Sequence, residues 1–405
     1  MRRLLTLSLL TLLAVPAIAR ATSAAVDVSS VQPRITNLHS TTSTVSGGET
    51  EMAAWSESDH TGIAWRSLTG RWTPARALPP GLVDIGDYSD DAFMAVFQNG
   101  TQIKAMNGSR QFDGGLNTIG HAAPGTSPVL AVDPDEGSAI VAWRAPAANG
   151  RRVVEAAIRR ADHLFSKAQT LVSGGNITAV AVGNSLFGAA VAYVRDRRLF
   201  IRIRSHGHWR AAVELGAAGG TTSSDIQVGF DDLSDRNTVV AWRHDGGILD
   251  VAGAAPVSRG FMRYRLARSG VTGLALAGDS DDADEWELAY SAHVAGGTVV
   301  RELTLLPAPG KVQSFPSPGS VSGLAVRRGE AGDIVGWTVA GSPARGFVAK
   351  ADSSLAATAV APSEDMLALQ PFAGDDLGIG AVWIAHTAAG DVVRSADAVV
   401  SLPLG

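Results

Sequence analysis

The sequence predicts an all-β protein, a single β-propeller of four-stranded blades, with eight blades and seven as the alternative. Three observations carry that prediction. An aromatic residue closing a run of small or β-branched residues recurs as Trp55, Phe97, Trp143, Tyr193, Trp242, Tyr290, Trp337 and Trp383. Successive copies are 42–50 residues apart, the length of one four-stranded unit. Each copy also keeps one internal order: a short apolar run, a turn, the run ending in the aromatic, a polar loop, and an alternating run.

The elements follow in order. Arg2 and Arg3 precede an apolar run over 4–15, then Pro16 and Ala17-Ile18-Ala19. That run falls short of the roughly 20 residues a membrane-spanning helix needs. Residues 1–19 are therefore expected to be a signal peptide, 20–38 a linker or closing segment, and 39–405 the propeller domain, exported and monomeric. Segment 26–38 is expected to complete the last blade and so close the ring. First strands are expected at 42–45, where TSTV is a weak signal, and at 83–85, 129–132, 179–182, 226–230, 274–276, 324–326 and 367–369. Second strands end in the aromatics, and third strands follow a polar, often glycine-containing loop, as at 152–159. Fourth strands are expected to open with an aromatic where Trp72, Phe165, Trp209 and Phe261 stand.

Composition narrows the partners. The net charge is −5 and no basic run occurs, so nothing attracts a phosphate backbone and nucleic acid is not an expected partner. The absence of cysteine excludes thiol catalysis and thiolate metal sites, and leaves stability to burial and ring closure. No second long apolar run follows the first, so no membrane insertion is expected after the leader is removed.

The pattern AVDPDEGSAIVAW, followed by a polar loop, an alternating strand and an aromatic-led strand, resembles the secreted bacterial propellers of sialidase-type repeats. Its layout is similar to WD-repeat blades. The resemblance implies a fold and, alone, no activity. A sialidase-type Asp-box, Ser-x-Asp-x-Gly-x-x-Trp, is missing; the nearest stretch, 58–65, has His60 where the aspartate belongs.

In such a ring the loops sort onto two faces. First-to-second loops are acidic at 87–91, 133–136, 231–235, 279–285 and 375–376, and alternate carboxylates make Asp279, Asp281, Asp282 and Asp284 the calcium candidate. No other cofactor is expected. Second-to-third loops carry arginine and histidine, with His60, Arg144, Arg195, Arg243, His244, His293 and His386 as candidate ligand-binding residues. Guanidinium forks suit carboxylate and sulfate, so the expected partner is an extracellular protein or an acidic glycan. The function expected is that of a rigid extracytoplasmic binding scaffold. The alternatives are a sialidase-like or other glycoside-acting enzyme and a purely structural surface protein. No catalytic residue is assigned, since no Gly-x-Ser-x-Gly, His-Glu-x-x-His or Walker loop occurs.

Overall fold

In a computed structural model of the chain, the described residues are 25–400 apart from 46–47, 68–69, 90–91, 110–113, 134–136, 148–149, 161–163, 186–187, 231–237, 255–259, 279–284, 307, 329–331, 352–355 and 375–377. They form eight antiparallel sheets that succeed one another along the chain as the blades of an eight-bladed β-propeller. Blades 1 to 7 span 36–78, 82–121, 129–172, 177–217, 226–267, 271–317 and 321–360. Blade 8 takes three strands from 365–400 and its outermost strand, Val26–Asp27, from the other end of the chain. First strands of successive blades touch one another and that of blade 8 touches that of blade 1, so these strands line the axis of a closed ring.

The run of small residues before each aromatic now has its reason. Second strands such as Ala139–Pro146, Gly188–Arg195 and Val239–His244 lie mid-sheet, covered on both faces, which excludes water and favours short, β-branched or apolar side chains. All eight aromatics are at most 2% exposed. Each points towards the blade before its own: Trp143 packs into the core between blades 2 and 3, Tyr193 between 3 and 4, Trp242 between 4 and 5. Trp55 likewise enters the core between blades 8 and 1, with Phe372 and Val382. Eight such cores, one per blade junction, replace a single central core.

Ring closure uses a short segment. Val26 pairs with Ser395, Asp27 with Arg394, and Gln32 bridges Asp391. Arg394 donates to Asp27 and to Glu364 at 2.8 Å each, and Asp391 accepts the Ile35 amide at 2.9 Å. The first strand of blade 1 begins at Thr36, upstream of TSTV, because Asn37 adopts φ 52° and bulges the strand into register with the second.

Outer strands differ from the aromatic-led expectation in three of four blades. Trp72 makes only an isolated bridge to Arg66 ahead of Arg76–Leu78; Phe165 precedes Gln169–Val172; and Trp209 sits in a two-residue strand before Val213–Ala217. Phe261 alone opens its strand, Phe261–Ala267. All four rings pack against the inter-blade cores, and in the first three the main run of outer pairing begins only beyond the ring.

Candidate functional site

Strand alternation decides where the residues after each aromatic go. The aromatic points to the preceding blade, so the next residue points to the following blade and the one after that points back. At the junction of blades 3 and 4 this rule brings arginines together from both sides. Arg144 follows Trp143 and lies on the face of blade 3 turned to blade 4, in line with Ile140 and Ala142. Arg195, two residues beyond Tyr193, lies on the face of blade 4 turned to blade 3 and stacks on Phe200, 4.6 Å from the ring centre. Arg152 opens the third strand of blade 3 opposite Pro146, on the same face as Val154 and Ala156.

Beside these residues lies a cleft of about 570 Å³ whose lining is Gly150, Arg151, Arg152, Gly175, Asn176 and Ile177. Gly175 is at φ 75°, and a Cβ there would stand 2.6 Å from Arg195 Cγ, so glycine is what lets the arginine lie along the inter-blade loop. Among the described residues, no carboxylate holds Arg144, Arg151, Arg152 or Arg195. Nε of Arg144 is buried and without a hydrogen-bond partner. Burial, and secondarily the charge of Arg152, pull the Arg144 guanidinium below its ordinary pKa. One acid stands at the rim: Asp196 accepts the Asn176 amide at 2.8 Å. The cleft thus gathers like charges that an anion would relieve.

The other candidates are committed within or between blades. Arg243 is paired with Asp225 and donates to the Thr272 carbonyl at 2.9 Å. The His244 side chain is 4% exposed and contacts Asp250 at 3.0 Å, and Asp250 also accepts from Arg265. Burial alone would raise the Asp250 carboxyl, but the hydrogen bonds from Arg265 and His244 outweigh it and hold its pKa low. His60 contacts Asp59 and Glu57 at 2.7 and 3.3 Å. His293 contacts the Thr298 hydroxyl at 3.1 Å. His386 contacts Asp391 at 2.6 Å, a bond that raises the imidazole pKa. Of the seven candidates, therefore, only Arg144 and Arg195 meet at one blade junction, beside the cleft.

Arg144, Arg195, Arg243, His244, His293 and His386 lie in the last residues of second strands, not in the loops beyond them. Sequence reasoning passed over Arg151 and Arg152. The signal available was the alternation rule: only at this junction does arginine occupy both inward positions after the aromatic. Asp279, Asp281, Asp282 and Asp284 lie outside the described residues. Among the described residues, no three His, Asp or Glu side chains gather so as to hold a metal ion.

No protein-family model matches the chain, and no curated protein matches it. Among solved structures it is similar to the WD40 domain of SCAP from fission yeast, with TM-score 0.54 and 9% identity over 93% of this chain and 95% of that one. It also resembles the β-propeller domain of the Trilobed protease from Pyrococcus furiosus, with TM-score 0.49 and 8% identity over 80% of this chain and 98% of that one. A third likeness is to the six-bladed fungal lectin of Aleuria aurantia, with TM-score 0.43 and 13% identity over 82% and 96% of the two chains. At these identities the likeness is one of fold.

Proposed function

We propose that this propeller is a rigid binding scaffold that takes an anionic group, from an acidic glycan or an extracellular protein, in the cleft between blades 3 and 4. The observation that carries the reading is a cleft lined by Arg151 and Arg152, with Arg195 and Arg144 beside it, and no carboxylate holding any of the four among the described residues. A planar fork meets a carboxylate or sulfate in two parallel hydrogen bonds, and a partly desolvated site strengthens each of them. The extracytoplasmic setting rests on the N-terminal sequence alone, with its Arg2-Arg3 start, apolar run and Ala17-Ile18-Ala19.

Binding is favoured over a sialidase-like reaction by one further observation. The tyrosine nearest these arginines, Tyr193, is a core residue 1% exposed, and burial pushes its phenol above the ordinary pKa despite Arg195 and Arg202. A tyrosine nucleophile needs the opposite shift.

The test is a glycan array of sulfated and carboxylated oligosaccharides, probed with the chain from residue 25 onward. The double variant Arg152→Ser/Arg195→Ser is expected to lose binding by about 10–100-fold, two charge-assisted bonds at about 1.5–3 kcal/mol each being partly replaced by water. Wild-type binding should also weaken as salt rises. Equal binding by the double variant would overturn the reading.

A further inference from the structure

We infer that a second site, in the groove between blades 2 and 3, binds a neutral saccharide ring. A pocket of about 490 Å³ lies there, away from the arginine cleft on the opposite side of blade 3. Its blade 2 wall comes from the third strand, Gln102–Ser109, and the fourth, Leu116–His121. Ala105 and Asn117 are cross-strand partners there, so Asn117 shares a face with Asn107, two residues along from Ala105. The blade 3 wall comes from Glu155 in the strand Arg152–Arg159 and from the segment that carries Phe165 and Lys167.

The chemistry of this lining is unlike that of the cleft. Glu155 and Lys167 bring opposite charges, so the pocket has no net preference for an ion of either sign. Asn107 and Asn117 each add an amide, which both donates and accepts. A ligand matching carboxylate, ammonium and two amides must donate at some points and accept at others around its edge, while offering an apolar face to Phe165. A sugar ring does both, with hydroxyls on its rim and C–H groups on its face.

Asn107 supplies the second observation. Its Oδ1 is buried without a hydrogen-bond partner, and an unsatisfied buried acceptor destabilises a fold. A hydroxyl entering the pocket, with a small rotation of the amide, satisfies it.

Saturation-transfer NMR on the chain from residue 25 onward, with a panel of neutral methyl pyranosides, tests this. At least one glycoside is expected to receive saturation at its ring C–H protons. Asn107→Ala and Phe165→Ala should each weaken its Kd by tenfold or more. The denaturation midpoint of Asn107→Ala should stay at or above that of wild type, which separates loss of binding from loss of fold. Arg152→Ser/Arg195→Ser should leave the neutral glycoside bound, so failure of the anion reading and failure of this one are told apart. The inference is overturned if no neutral glycoside receives saturation, if both pocket variants bind as wild type does, or if only the arginine variant loses binding.

Discussion

Trp242 and Trp143 hold equivalent positions in blades 5 and 3 and differ by one hydrogen bond. The Trp242 indole donates to the Ala217 carbonyl at 2.9 Å, whereas the Trp143 N–H is buried without a partner. Replacing either ring by alanine should cost about 3–5 kcal/mol through the cavity left behind. Replacement by phenylalanine should separate the two: Trp242→Phe strands a carbonyl, Trp143→Phe removes an unsatisfied donor, and the difference should reach about 1 kcal/mol in urea denaturation. Equal costs would mean that the indole bond to Ala217 contributes nothing. The aromatics themselves were plain in the sequence, since a buried ring after a run of small residues leaves a mark that repeats. Their hydrogen bonds were not, because the partner of Trp242 lies 25 positions away on another blade. The same contrast holds in the cleft. Arg144 and Arg195 stand at fixed offsets from a repeated aromatic, whereas Arg151 and Arg152 follow a loop whose length varies from blade to blade.

Between the two ends of the chain, the sheet of blade 8 concentrates its polar contacts on a few residues. Asp391, 3% exposed, accepts the Ile35 amide through one oxygen and meets His386 through the other. The hydrogen bond to Asp391 raises the His386 pKa, against a smaller opposing effect of burial. A raised imidazole pKa means that the folded state holds its proton more tightly than the unfolded chain does. The stabilisation is then fully present below the unfolded pKa of about 6.5 and is lost as pH rises through the higher folded value. Urea midpoints at about pH 5.5 and 8.5 should show it as a wild-type loss at the higher pH that His386→Gln lacks; an identical difference in both proteins would rule the pair out as its source. That segment 26–38 closes the last blade was expected from its place between the leader and the first repeat of a ring. Its extent was not, because a two-residue pairing has no periodicity to read, and the positive φ at Asn37 belongs to the folded chain alone.

As a whole, the ring was legible because repetition is visible in one dimension: eight aromatics give eight blades. What repetition leaves open is the direction of dependence between blades, which strand register fixes in space. A chain beginning at Ile35 keeps every strand but the outermost of blade 8, and it loses Val28 from the core shared by blades 8 and 1. It should unfold at lower denaturant and, with a bare sheet edge, should self-associate at high concentration in sedimentation experiments; a monomer of unchanged stability would show the closing strand to be dispensable. The backward-pointing aromatics also set an order in time. As a chain is synthesised, each new blade delivers its ring to the blade just finished, so the junctions can be filled one after another behind the growing end. Trp55 is the exception, since the core it enters belongs to the last blade to be made. At about 5–20 residues per second, the first blade waits roughly 20–70 s with its largest side chain uncovered. Until the final blade arrives, that ring is the one anchor with no finished neighbour to enter.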